Sequence, residues 1–207
     1  MKLSKIIALS STIYLLQSAA LAADTQWKLD PAHTKASFTV KHMMVSNVRG
    51  EFGKVSGTVR YDGKTLADSG VTAVIDASSI NTSEPMRDQH LKSADFFDVA
   101  KYPTITFKSK KVEADPDSFK IFGDLTMHGI TKPVTLTADT LPPPIKDPMG
   151  FLRTGTEAKT TINRKDFDIA FDKVMDNGGA LVGDDVVITI EAELIQKPAT
   201  AESKSTL

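Results

Sequence analysis

Residues 36–42 read A-S-F-T-V-K-H, and this stretch decides the fold. Ala36, Phe38, Val40 and His42 fall on one side of an extended chain; Ser37, Thr39 and Lys41 fall on the other. A period of two is the mark of a strand with one face on a core and one in water. Met43, Met44, Val45 and Val48 break the alternation and make an apolar bend. Beyond it the pattern resumes. Val55, Gly57, Val59 and Tyr61 share a face, and Asp62-Gly63 signals a turn. Val71, Ala73 and Ile75 continue inward, as do Ile105 and Phe107. Phe119, Ile121, Gly123, Leu125 and Met127 form the longest alternating face, and Val134, Leu136 and Ala138 follow. The chain's last strong strand carries Val186, Ile188, Ile190, Ala192 and Leu194.

One stretch does not fit. Residues 83–109, S-E-P-M-R-D-Q-H-L-K-S-A-D-F-F-D-V-A-K-Y-P-T-I-T-F-K-S, predict a compact helical insert. Ser83 suits a helix cap, Glu84 suits the first turn, and Pro85 is tolerated only there. A short helix is expected over residues 84–91. Ser93 reads as a second cap, with Asp95 behind it and Phe96, Phe97 and Val99 as apolar bulk. Tyr102-Pro103 ends any helix and hands over to a strand. Arg87 and Asp88 are suited to pinning the insert to the sheet. A structured connection of this length is more often functional than accidental.

The sum is about eight strands joined mainly by short turns, an all-β chain. Strict alternation points to antiparallel sheet wetted on one face. Such a sheet must close or fold over to protect its edges. A closed barrel and a two-sheet sandwich both satisfy the pattern. Pro142-Pro143-Pro144 and Asp147-Pro148-Met149-Gly150 make a stiff loop that cannot join a ladder.

Both ends of the chain read differently from its middle. Lys2 and Lys5 precede an apolar run over residues 6–16, and Ala20-Leu21-Ala22 offers a small-residue cleavage site. Residues 1–22 are therefore expected to be a secretory signal peptide, and residues 198–207 a polar, disordered tail. One domain of residues 23–197 remains, enough for a single core. The chain has no cysteine and a net charge of −1. Export without cysteine suits a bacterial periplasm. No basic block marks a nucleic-acid partner, and no second apolar run reaches the length of a membrane span. Dimerisation through an exposed strand face is compatible with the sequence.

Catalytic patterns are missing. The four histidines, His33, His42, His90 and His128, form no local metal-binding pair, and no nucleophile elbow, phosphate loop or dinucleotide fingerprint is present. His42, ending an inward face, is placed to hydrogen-bond a polar head group or to sit satisfied near the rim. The inward faces mix large residues with Ala36, Gly57, Ala73, Ser109, Gly123, Ala138 and Ala192. An eight-stranded barrel is either filled by side chains or left just wide enough for one small ligand. Composition leaves both open. If hollow, the interior favours a long hydrocarbon, and filling it at Gly123 or Ala73 is expected to weaken binding more than folding.

These residues bring a resemblance into view. The segments W-K-L-D-P-A-H-T (27–34), F-T-V-K-H-M-M-V-S (38–46), G-E-F-G-K-V-S-G-T-V (50–59), R-D-Q-H-L-K-S-A-D-F-F-D-V (87–99) and G-D-L-T-M-H-G-I-T-K-P-V (123–134) resemble the YceI-like family of exported polyisoprenoid-binding proteins. K-Y-P-T-I-T-F (101–107), I-N-R-K-D-F (162–167) and V-G-D-D-V (182–186) add to the likeness. It implies a lipocalin-like antiparallel barrel whose apolar interior holds a polyisoprenoid lipid of quinone or prenyl-phenol type without covalent change. It brings no catalytic set, metal or cofactor. The wall expected to touch the lipid comprises Phe38, Val40, His42, Met43, Met44, Phe52, Tyr61, Ile75, Phe96, Phe97, Phe107, Ile121, Leu125 and Leu136. Two other readings stand beside this carrier. One is an enzyme acting on such a lipid through His42, His90 or the insert's carboxylates. The other is a structural or stress-response module whose barrel is incidental.

Overall fold

The computed structural model describes residues 26–171, 173 and 179–197; the expected leader and tail lie outside them. Twelve strand segments form one sheet: β1 (Gln26–Leu29), β2 (Lys35–His42), β3 (Ser46–Phe52), β4 (Val55–Arg60), β5 (Gly70–Asp76), β6 (Ile80–Asn81), β7 (Thr104–Ala114), β8 (Ser118–Met127), β9 (Ile130–Asp139), β10 (Ile145–Lys146), β11 (Leu152–Asn163) and β12 (Val182–Gln196). The register shows that they make eight barrel strands. β1 and β2 lie end to end along β12, with Leu29 opposite Leu194 and Lys35 opposite Glu191. β3 and β4 run end to end beside them, with Phe52 opposite Ala36 and Thr58 opposite Lys28. β5 and β6 repeat this on the next strand, with Ile75 opposite Val55 and Ile80 opposite Phe52. The ring then runs through β7, β8, β9 and β11 back to β12, antiparallel at every step. This is the closed barrel rather than the sandwich. Closure leaves only short edges.

The ladders differ in strength. β11 and β12 share twelve paired residues, whereas β9 and β11 share only Ala138 with Ala158 and Thr137 with Lys159. The proline-rich loop lies beside this narrow seam. Its prolines stay out of the sheet as expected, but Ile145 and Lys146 between them pair with β11 as β10. Three interruptions, at residues 30–34, 53–54 and 77–79, fall at one level of three adjacent strands and let the wall bend there. At the third, Asp76 caps a single helical turn by accepting from the Ser78 N–H at 2.9 Å.

The insert forms as one helix, not two. α1 spans Pro85–Lys92, and Glu84 rather than Ser83 is its cap, accepting from the Met86 N–H. Ser83 stands in the left-handed region, at φ 61°, which a cap residue does not adopt. Ser93 closes α1 instead of opening a second helix: its hydroxyl donates to the His90 carbonyl, and turns follow. Arg87 and Asp88 both hold Thr82, just past β6. Asp88 accepts from the Thr82 N–H and hydroxyl, and Arg87 donates to the Thr82 hydroxyl and carbonyl.

The first interruption is knitted by charge. Asp30 caps the turn by accepting from the Ala32 N–H, and its other oxygen meets His33 at 2.9 Å and Arg153 at 2.6 Å. Arg153 also holds Asp147 and Glu193. His33 first and Arg153 next hold the Asp30 carboxyl at about 2, below its usual 3.8. A carboxyl that is more acidic when folded adds stability above its unfolded value and loses it as pH falls toward the folded one. Thermal melts from pH 6 to pH 2 check this. Asp30→Asn should be less stable than the parent at neutral pH, and the gap should close between about pH 4 and pH 2. A gap that stays constant with pH would contradict the assignment.

Candidate functional site

The inward faces do not fill the barrel. A cavity of about 410 Å³ runs along its interior, lined almost wholly by apolar side chains. Its walls explain a pattern that a solid core would not give. Ile121, Leu136, Ile188 and Ile190 point inward yet are only half-buried, because they face open space rather than one another. One end is sealed by the buried cluster of Val112, Phe119, Ala138 and Ala158, with Leu66 and Leu141 against it. The other end is where the helical insert, the β2–β3 hairpin and the residues after β11 come together.

That second end is built from aromatic rings and a few polar groups. Phe97 meets Phe52 edge to face, and Phe52 leans on Phe38. Phe96 packs on Phe171, and His90 stands edge-on to both. The His90 ring is fixed by Asp95 at 2.9 Å. Arg164, in the helical turn Arg164–Phe167, is buried. It donates to the carbonyls of Ile169, Val182 and Gly183 and pairs with Asp184 at 3.0 Å, tying β12 to the chain after β11. Among the described lining residues, Lys41 and His90 alone are exposed, so the cavity meets solvent at this end.

Twelve of the fourteen side chains expected on the wall line the cavity: Phe38, Val40, His42, Phe52, Tyr61, Ile75, Phe96, Phe97, Phe107, Ile121, Leu125 and Leu136. Burial raises the Tyr61 hydroxyl above its ordinary value, with Asp62 adding to the effect, so it stays protonated. Met43 and Met44 stand apart. They form the tip of the β2–β3 hairpin, both with left-handed backbone (φ 50° and 61°), and are 42% and 61% exposed. Two successive positive φ values suit the tight turn closed by the Val45 N–H on the His42 carbonyl, and they carry the side chains off the wall. Several wall residues were missing from that sequence-based set, among them Leu29, Val134, Ile162, Ile169 and Phe171. Period-two alternation had marked Val134 as inward. Nothing in the local sequence marked Ile169 or Phe171, which reach the wall through the arginine-held turn.

The small inward residues have two different roles. Ala36, Ala73 and Ala192 line the cavity. Gly57 and Gly123 instead give room to neighbours. A β-carbon on Gly123 would stand 2.5 Å from the Phe107 ring and 2.6 Å from the Lys108 carbonyl; one on Gly57 would stand 2.4 Å from the Thr72 carbonyl. Gly123→Phe is therefore a folding lesion, not a plug, which corrects the expectation from sequence. Ser109 sits at a bulge in β7 and accepts from the Val71 N–H at 2.8 Å.

The histidines are dispersed. His33 is at the first bend, His42 on the wall, and His128 meets the Phe167 carbonyl at 3.1 Å. Among the described residues one cluster has ligand atoms close enough for a metal, Asp30, His33 and Glu193, within 4.8 Å of one another. The Arg153 guanidinium already occupies both carboxylates, so the positive charge there comes from the chain itself.

Fold and cavity define a class: a hollow, up-and-down antiparallel β-barrel with an apolar interior and a helical insert at its mouth. The comparisons place the chain within it. The profile of the YceI-like domain matches residues 27–194. The protein named Protein YceI from Shigella flexneri is 39% identical over 173 residues, 84% of this chain and 88% of that one. The crystal structure of a Campylobacter jejuni YCEI protein superposes with a TM-score of 0.65 at 31% identity, covering 76% of this chain and 90% of the other. A polyisoprenoid binding domain from Saccharophagus degradans shares the fold at 16% identity, TM-score 0.58, over 81% and 97% of the two chains. The chain belongs to the YceI-like family.

The crowding at Gly123 gives a direct check on the wall. Gly123→Ala should cost about 2 kcal/mol, as overpacking of a filled site does. Ala73→Ser, facing the cavity, should cost much less. Urea titration of both variants distinguishes the sites, and equal losses would show that the two environments are alike.

Proposed function

We propose that this protein binds and carries a long-chain polyisoprenoid lipid, of quinone or prenyl-phenol type, without altering it covalently, and that it does so in the periplasm. The observation that carries the reading is the apolar cavity of about 410 Å³. A void of that size forgoes on the order of 10 kcal/mol of packing if nothing occupies it. An apolar guest recovers that loss, at roughly 0.8 kcal/mol per buried CH₂. A ten-carbon stretch would give on the order of 8 kcal/mol gross, before the cost of ordering both partners. The shape of the cavity fits a chain better than a compact molecule, since its lining extends from Leu66 and Ser69 at the sealed end to His90 and Leu181 at the mouth. The polyisoprenoid binding domain among the structural neighbours supports the choice of lipid. The signal-peptide pattern supports the compartment. No enzyme step is needed to explain the site.

Extraction of the purified protein with organic solvent, followed by mass spectrometry, should release a prenyl lipid in near-stoichiometric amount. The matching variant is Ala73→Phe, which places a ring in the cavity at a position where the existing alanine already faces it. Retention of a prenyl quinone should fall about tenfold or more, equivalent to about 1.4 kcal/mol, while the melting temperature stays close to the parent's. A protein that emerges empty and ignores prenyl lipids would refute the carrier reading. So would an Ala73→Phe variant that keeps full affinity.

A further inference from the structure

The polar groups on the cavity lining are unequal in sign. Lys41, His42, Arg87, His90 and Arg164 all line it, and among the described residues no aspartate or glutamate does. All five belong to the mouth end, on the tip of β2, on α1 and in the turn after β11. Two of them are already answered by acids, Arg164 by Asp184 and His90 by Asp95. Lys41 and Arg87 have no acidic partner among the described residues. Asp184 and Asp185 of β12 lie near Lys41, but Asp184 is held by Arg164 and Lys165.

Arg87 is also oriented. Its Nε donates to the Thr82 hydroxyl at 2.8 Å and its Nη2 to the Thr82 carbonyl at 2.9 Å, and Thr82 is itself held by Asp88. That fixes the plane of the guanidinium and leaves Nη1 without a hydrogen bond among the described residues. A fixed fork with a spare donor is suited to a phosphate or carboxylate oxygen. Lys41 adds a mobile charge at the exposed rim. The acids Asp95 and Asp184 at that end are already paired with His90 and Arg164, and Asp185 is exposed.

We infer that the cavity takes a further class of ligand, long-chain lipids ending in an acidic group, with the acid at the mouth against Arg87 and Lys41. This rests on the reading of the cavity as a lipid site and adds a preference to it. Phosphate and carboxylate share the chemistry. The phosphate carries more acceptor oxygens and binds more tightly of the two. A neutral alcohol of the same chain keeps the apolar contacts and lacks the charge-assisted bond. An amine is disfavoured by its own charge.

The test is competition against a bound fluorescent fatty acid by four probes with one chain: geranylgeranyl phosphate, geranylgeranoic acid, geranylgeraniol and geranylgeranylamine. The two acids should bind at least tenfold more tightly than the alcohol, and the amine more weakly still. Arg87→Gln should bring the acids to within about threefold of the alcohol measured on the same variant, an effect of charge-assisted hydrogen bonding. The exposed Lys41→Gln provides the same readout if Arg87→Gln fails to fold. Raising salt from about 0.05 M to about 0.5 M should weaken the parent's grip on the acids alone. Equal affinity for acids and alcohol, or preference for the amine, would overturn the inference while leaving the carrier reading standing. If none of the four probes displaces the reporter and none binds directly, it is the carrier reading that fails.

Discussion

The ring of backbone hydrogen bonds that closes the sheet is what the rest of this molecule depends on. A side-chain core is held together by its own contacts, and a void within it tends to collapse. Here the wall is fixed by antiparallel ladders running from β1 round to β12 and back, so its diameter is set by strand number and tilt rather than by what lies inside. That is why an interior of about 410 Å³ can stay open between side chains as apolar as those of any core. Deep burial is found at the sealed end, at the bend level and in the arginine-held turn at the mouth, where Phe167 and Ile169 join the core.

The mouth shows the complementary design. At that end the wall is completed by pieces that are not strand: α1 with the turns behind it, and the arginine-centred turn after β11. Each is secured by polar bonds from buried or half-buried side chains, Asp88 and Arg87 on Thr82 in one case, Arg164 on three carbonyls in the other. Polar anchoring adds to the apolar packing of Phe96, which is buried in the core, and of Phe97 and Phe171 against it. Loss of these bonds would loosen the mouth.

Glycine and alanine carry distinct duties in the wall, and the difference bears on any attempt to engineer it. Gly57 and Gly123 are sites of close approach, where backbone or ring atoms already stand within 3 Å of where a β-carbon would go. Ala73 and Ala192 face the void. Both kinds look alike in a hydropathy pattern. Only at the alanines does a larger side chain trade ligand space for protein without straining the ladder.

Much of the fold was legible in residues read one by one. Alternation over residues 36–42, 119–127 and 186–194 gave strands and their inward sides, because side chains on a pleated chain must alternate. It placed Phe38, Tyr61, Phe107 and Ile121 on the wall. It misled at Met43 and Met44, since a hairpin tip and an apolar wall use the same residue types and differ in backbone sign. It gave no hint of Ile169 and Phe171, whose position depends on Arg164 reaching carbonyls far along the chain. The local sequence thus determined which face of each strand is apolar and where the helical break falls, because those follow from neighbours along the backbone. Closure into a barrel, the choice of hollow over solid, and the gathering of Lys41, Arg87 and His90 at one mouth were decided by the tertiary structure alone. They are properties of spacing between strands, and that spacing is fixed by pairing between residues more than a hundred positions apart, such as Leu29 with Leu194.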